Sequence, residues 1–366
     1  MSALALALLL GWAGNPEGLA TRLPPAPLAL YSVAWRLPLV GPDVAPLLEE
    51  GGVAVDRASG LALCGTRDGW LHAVRRDGTL AWEFKAGGAF PAPPAIDGDT
   101  VYAGSSDGRV YALSLADGKQ RWSYDAQEEM GTRPAVANGA VYVMSLQDTL
   151  VALDARTGEW KWIHRREARG IDRGFTIRGA ADALVRGGTV YGAYSDGYVA
   201  ALDAANGQVR WERQVAPSGD YTDVDGLWLD GNRLFAAAYS GALLALDVDT
   251  GAPVWTFRAP LVSRVVGAAG LIIAESATQL HGLSPETGQP AWSVPLQGSA
   301  GAAPVFAGRW LMVPAQDGGL RFVEPSTGRT LRAFDGGSGV AGEPGVDGGR
   351  VYALSNGGVL YALDLK

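Results

Sequence analysis

The sequence predicts an all-β fold, an eight-bladed β-propeller of four-stranded antiparallel blades. Three observations lead there. A phrase of the form Leu-Asp-x-x-Thr-Gly-x-x-x-Trp recurs along the chain. Its copies lie mostly 37 to 49 residues apart, the period of propeller blades. The two ends of the chain each carry a fragment of one further unit.

The copies run VRRDGTLAW (74–82), LADGKQRW (115–122), LDARTGEWKW (153–162), LDAANGQVRW (202–211), LDVDTGAPVW (246–255), LSPETGQPAW (283–292) and VEPSTGRTLR (323–332). In six of them a tryptophan stands four residues after the glycine: Trp82, Trp122, Trp162, Trp211, Trp255 and Trp292. The seventh has Arg332 there. Within residues 132–163 the unit reads as four short strands, RPAVANG, AVYVMS, TLVALD and EWKWI. The glycine suits a tight turn because it tolerates positive φ. The tryptophan reads as core, covering apolar area between neighbouring blades.

The ends complete the count. The last unit, EPGVDGGRVYALSNGGVLYALDLK, stops at Lys366 after three strands. Near the start, LYSVAWRLPLV (30–40) reads as an outer strand without a blade, with Trp35 in the repeat position. Joining the two makes an eighth, composite blade and closes the ring, which protects the sheet edges. The expected organisation is a signal-like segment over 1–29 and a single propeller over 30–366.

Composition fits this reading. Gly and Trp are abundant, at 51 and 12 of 366 residues. A formal net charge of -8 argues against a nucleic-acid partner, which favours a basic surplus. The scattered histidines His72, His164 and His281 suggest no metal site, and the lone Cys64 excludes an internal disulfide. The N-terminus, MSALALALLLGWAG, resembles the apolar region of a secretion signal and is too short to span a membrane. Export is the expectation. No cysteine follows this run to carry a lipid anchor.

The spacing also locates two interruptions. From Trp162 to Trp211 is 49 residues and from Trp211 to Trp255 is 44, against 40 for the two preceding intervals. The surplus falls between an outer strand and the next inner strand, with the strands expected to keep normal length. The first insertion is RREARGIDRGFTIRGAA (165–181) and the second is SGDYTDVDG (218–226). In a four-stranded blade such connections emerge on one face of the ring. A cationic-apolar loop with Phe175, Ile177 and Arg178 is thus expected beside an acidic one with Asp223 and Asp225. The bland alternative is a solvated surface holding an internal Arg–Asp pair of little energetic worth. Arg165, Arg166, Arg169 and Arg173 read as the solvated approach to the first loop.

At these residues the chain resembles the BamB family, the quinoprotein-like eight-bladed propellers of outer-membrane β-barrel assembly, over about residues 30–366. The distinctive match is FTIRG (175–179) followed by DVDG (223–226) in successive connections. The family has an apolar-x-apolar-Arg-Gly segment and an Asp-Val-Asp segment there, and they form its contact with the periplasmic POTRA domains of BamA. The resemblance implies that Phe175, Ile177 and Arg178 carry one half of that contact and Asp223 and Asp225 the other. It implies a non-enzymatic periplasmic scaffold associated with the outer membrane, one copy within a larger complex, with no cofactor and with nascent outer-membrane proteins as clients. Phe175 is aromatic where the family favours aliphatic residues, and the family's lipidated cysteine is missing from this sequence.

Two other functions fit the repeat. One is an exported propeller that binds a different protein or a glycan. The other is a quinone-dependent dehydrogenase, but those enzymes are longer, carry an adjacent cysteine pair and bind calcium through clustered Glu, Asn and Asp. Neither feature is found here. The Gly-rich stretch GGSGVAGEPG (336–345) lacks the helix that a phosphate cradle needs.

Overall fold

The computed structural model describes residues 30–41, 49–166, 181–216, 222–296 and 301–366. Among them, strands pair into eight four-stranded antiparallel sheets, the eight blades of a β-propeller. Blades one to seven each take four consecutive strands, from the inner strand at the ring's centre to the outer one at its rim. The eighth is composite. Gly345–Asp347, Arg350–Leu354 and Val359–Leu365 supply its first three strands, and Tyr31–Pro38 supplies the outer one. Tyr31 pairs with Leu365 and Pro38 with Val359, so the two ends of the ring close on each other.

Burial follows position within the blade. The second and third strands are covered on both faces by neighbouring blades, and they read as apolar runs. Leu61–Gly65 and Ala140–Met144 are buried throughout. Outer strands have one edge in solvent and alternate, as in Trp160–Arg165, where Trp162 is buried and Ile163 exposed. The hydrophobic core is therefore a circle of interfaces between blades rather than one central mass.

The repeat residues build those interfaces. Each repeat tryptophan donates its indole N–H to a backbone carbonyl of the next blade: Trp35 to Arg76 at 2.9 Å, Trp82 to Leu115 at 2.8 Å, Trp122 to Ala155 at 3.0 Å and Trp162 to Ala204 at 3.0 Å. Trp211, Trp255 and Trp292 do the same to Val248, Pro285 and Pro325. The repeat glycine is needed for two reasons, as Gly207 illustrates. Its φ is +73°, and a Cβ there would stand 2.7 Å from the Trp162 ring. Where Arg332 replaces tryptophan, its guanidinium lies 5.3 Å over the ring of Tyr31. The cation thus packs on the strand that closes the ring.

His72 and His281 are buried strand residues, bonded to Glu83 at 2.9 Å and to Ser276 and Ser293 at 3.1 and 2.8 Å. Cys64 is fully buried, and burial pushes its thiol up to about 12. It is an inert core residue.

Candidate docking face around the fourth blade

Phe175, Ile177 and Arg178 lie outside the described residues, as do Arg169 and Arg173. The feet of both insertions are described. The first insertion leaves the outer strand of blade three, Trp160–Arg165, and enters the inner strand of blade four, Leu184–Arg186. The second leaves the outer strand of blade four, Val209–Gln214, and enters the inner strand of blade five, Val224–Asp230. Blade four therefore stands between them.

Arg165 is exposed, as a solvated approach would be, but Arg166 is not. Arg166 bonds Asp196 at 2.8 Å through Nε and Glu212 at 2.5 Å through Nη1, and its guanidinium lies 4.1 Å from the Tyr198 ring centre. Its side chain is 18% exposed. The backbone N–H of Arg166 donates to the Asp148 carbonyl at 3.3 Å. Arg165 donates to Thr149 at 2.8 Å and pairs with Glu128. The correction has a simple physical source. Around Arg166 the carboxylates come from a turn (Asp196) and a strand (Glu212) and the tyrosine face from another strand (Tyr198), and no local pattern around the arginine announces them. His164 completes the foot, 2.7 Å from the buried Tyr194 hydroxyl. Burial lowers its basicity, with Glu212 opposing.

The second insertion stands on the same turn. Thr222 donates its hydroxyl to the Ser195 carbonyl at 2.6 Å, and Val215 and Ala216 are buried beneath. Ser195 in turn receives the Asp148 carboxylate, its N–H donating at 2.9 Å. The turn Tyr194–Gly197, between the second and third strands of blade four, is thus gripped by Arg166 from one insertion and Thr222 from the other. Both feet share one face of the ring.

Asp223 and Asp225 differ in environment. Asp223 is buried, and its carbonyl accepts the N–H of Tyr239 at 2.8 Å. Asp225 is not in a loop. It is the extra residue of a bulge in the inner strand, between the pairs Val224–Ala238 and Gly226–Ala237. The bulge, which re-aims a side chain, corrects the expectation that both strands keep normal length. Inner strands elsewhere span three or four residues, but that of blade five spans seven and that of blade six, Arg264–Ala268, spans five. The longer strands approach closely at Gly226, where a Cβ would stand 3.1 Å from the Ser263 carbonyl oxygen. Oδ1 of Asp225 is buried with no hydrogen-bond partner. Burial raises this carboxyl, and Arg264 pulls it back.

Charged residues continue toward the ring's centre. The N–H of Arg133 in blade three donates to the Asp182 carboxylate at 2.9 Å, pinning the far foot of the first insertion. The Arg133 guanidinium meets Glu343 of blade eight at 2.8 Å, a pair linking blades that are not neighbours. Burial raises both carboxyls against the pull of Arg133. Arg133, Asp182, Arg264 and Glu343 occupy one column of the repeat, where the other copies have Gly52, Pro93, Gly226 and Ala303, and the bulge sets Asp225 next to it. Reading the column instead of the tryptophan phrase would have exposed them. No group of three or more His, Cys, Asp or Glu side chains converges among the described residues to hold a metal.

The profile described as "Outer membrane protein assembly factor BamB" matches residues 67–294 and 277–366. The chain belongs to the BamB family. An outer membrane protein assembly factor BamB of Legionella pneumophila (strain Paris) is 26% identical over 199 residues, 52% of this chain and 52% of that protein. The chain spans about half the length of the curated relatives it matches. Its fold is similar to the crystal structure of BamB from Moraxella catarrhalis, with a TM-score of 0.78 at 22% identity, covering 92% of this chain and 100% of that one. A europium-containing methanol dehydrogenase is also similar, with a TM-score of 0.73 at 14% identity over 92% of this chain and 93% of its own. At such identities these two likenesses concern the fold alone. Membership of the BamB family rests on sequence.

Proposed function

We propose that this propeller is a non-enzymatic scaffold of outer-membrane β-barrel assembly. In this reading it works in the periplasm, docks on the periplasmic region of BamA through the face around blade four, and assists the folding and insertion of outer-membrane proteins. Family membership supports the role. The observation that carries the site is the shared footing of the two insertions on Tyr194–Gly197, with Oδ1 of Asp225, three residues past Thr222, lacking a hydrogen-bond partner. A rigid base carrying a half-buried carboxylate suits a protein contact, since an acceptor partly shielded from water gains more from a partner's N–H than a fully exposed one. Phe175 and Ile177 supply apolar area and Arg178 a planar fork for the same contact.

The test is capture of BamA's periplasmic region by the purified protein. Arg178→Glu and Asp225→Asn each weaken capture while the melting temperature holds. Normal capture by both folded variants overturns the site. Absence of capture by the unaltered protein overturns the partner.

A further inference from the structure

Arg264 opens the inner strand of blade six. Its Nη1 donates to the Asp225 carbonyl at 3.3 Å and to the Ser263 carbonyl at 3.2 Å. The bond to Asp225 falls on the residue left unpaired by the bulge, so it replaces part of the missing ladder. Across the sheet Arg264 pairs in register with Glu275, which is fully buried and has both carboxylate oxygens without a partner. Directly opposed side chains on one face stand within interaction distance. Arg264 makes no ion pair within hydrogen-bond reach among the described residues; its guanidinium is held by carbonyls.

The surroundings repeat the theme. Arg264 acts electrostatically on Asp182, Asp225 and Glu275, which belong to blades four, five and six. Asp182 is the far foot of the first insertion and Asp225 the far foot of the second. Burial raises all three carboxyls, and the positive charge of Arg264 opposes the rise in each. The other charged groups facing this cluster are Arg133, Arg321, Asp317 and Glu343.

We propose that Arg264 is the positioning residue of the docking face. It holds the Asp225 bulge by its carbonyl and serves as shared counter-charge to the feet of both insertions, so the acceptor side is presented as one unit. The idea rests on the docking reading above and extends the face to blade six, which carries no insertion. The matching partner feature is a hydrogen-bond donor, a backbone N–H or a cationic side chain, that reaches Asp225.

Three variants test it in capture of BamA's periplasmic region, each followed across pH and checked by thermal melting. Asp225→Asn removes the acceptor's charge. Arg264→Gln removes the counter-charge and the carbonyl grip. It is expected to weaken capture about tenfold and to move the acid limb of the capture-against-pH curve to higher pH, because Asp225 then ionises less readily. Arg264→Lys keeps the charge without the planar fork, so it leaves the acid limb in place and loses less affinity. A shifted limb separates positioning from a merely structural role. If Arg264→Gln fails to fold, Arg264→Lys decides, and affinity equal to the unaltered protein overturns the inference. Loss of capture in Asp225→Asn with none in Arg264→Gln also overturns it and leaves the docking reading intact. No capture by the unaltered protein removes the docking reading itself, and this inference with it.

Discussion

Arg166→Ala is the sharpest perturbation of the docking face, because one side chain joins the first insertion to blade four. The change removes charge-assisted bonds to Asp196 and Glu212 at 2.8 and 2.5 Å, and a stack on Tyr198. Such bonds contribute about 1.5–3 kcal/mol each when made. Solvent reaches Glu212, whose side chain is 33% exposed, and discounts its share. Asp196 is 10% exposed and, among the described residues, keeps the N–H of Tyr198 at 3.2 Å as its remaining donor. The sum is roughly 2–4 kcal/mol. At about 2 °C per kcal/mol for a domain of this size, the melting temperature falls by roughly 4–8 °C. The assay is thermal melting of Arg166→Ala, Asp196→Ala and the double variant. A coupling energy of about 1–2 kcal/mol between the two is expected for neighbours in one network. Capture of BamA's periplasmic region should weaken in parallel, since the foot of the insertion is loosened. Additive single effects and unchanged capture would refute the claim that this network sets the insertion in place.

Other perturbations separate scaffold from site. Trp162→Phe removes the bond to the Ala204 carbonyl and part of an inter-blade contact, destabilising by about 1–3 kcal/mol by chemical melting, with docking intact. Gly207→Ala forces a Cβ against the Trp162 ring at positive φ and costs at least about 1–2 kcal/mol by the same measure. Thr222→Val strips the donor from the buried Ser195 carbonyl, which should cost about 1–2 kcal/mol and weaken capture. Glu275 has its carboxyl pushed up to about 8 by burial, so the folded protein holds a proton that the unfolded chain, near 4.5, has released. Stability therefore falls as pH rises from 4.5 to about 8. Glu275→Gln should flatten the curve of melting temperature against pH in that window, and an unchanged slope would count against the burial argument.

The ring was legible because its signal is periodic. One tryptophan and one glycine per blade meet the same neighbours seven times over, so a linear pattern carries the packing. Closure was legible because two chain ends each lacked what the other had, and Tyr31–Pro38 pairs with Val359–Leu365. The proposed docking face was legible only to the level of its two connections. Arg166 meets Glu212 46 residues away, Arg133 meets Glu343 from a blade across the ring, and Asp225 gains its setting from a bulge. Such pairs are set by which side chains the finished ring brings together. No spacing in the chain records them. The same limit made Arg166 look like solvent-facing charge.

The face also has an asymmetry that bears on how it works. An eightfold scaffold offers eight equivalent sites at its centre, yet the charged column is filled in blades three, four, six and eight and left as Gly52, Pro93, Gly226 and Ala303 in the others, with Asp225 bulged out beside Gly226. Buried charge costs more than it returns unless it is paired, so a structural purpose alone would favour small or apolar residues at all eight positions. Asp182 stands where the first insertion lands and Arg264 opens the lengthened inner strand of blade six, while Arg133 ties Asp182 to Glu343. Arg133 holds the first insertion's foot through Asp182, and Arg264 holds the second's through Asp225. Each arginine is thus placed at the inner end of one connection. A docking loop needs a fixed base if its contact is to be made without first paying for ordering. The two arginines supply that base from inside the ring, Arg166 and Thr222 supply it from blade four, and the loops between are anchored at both ends.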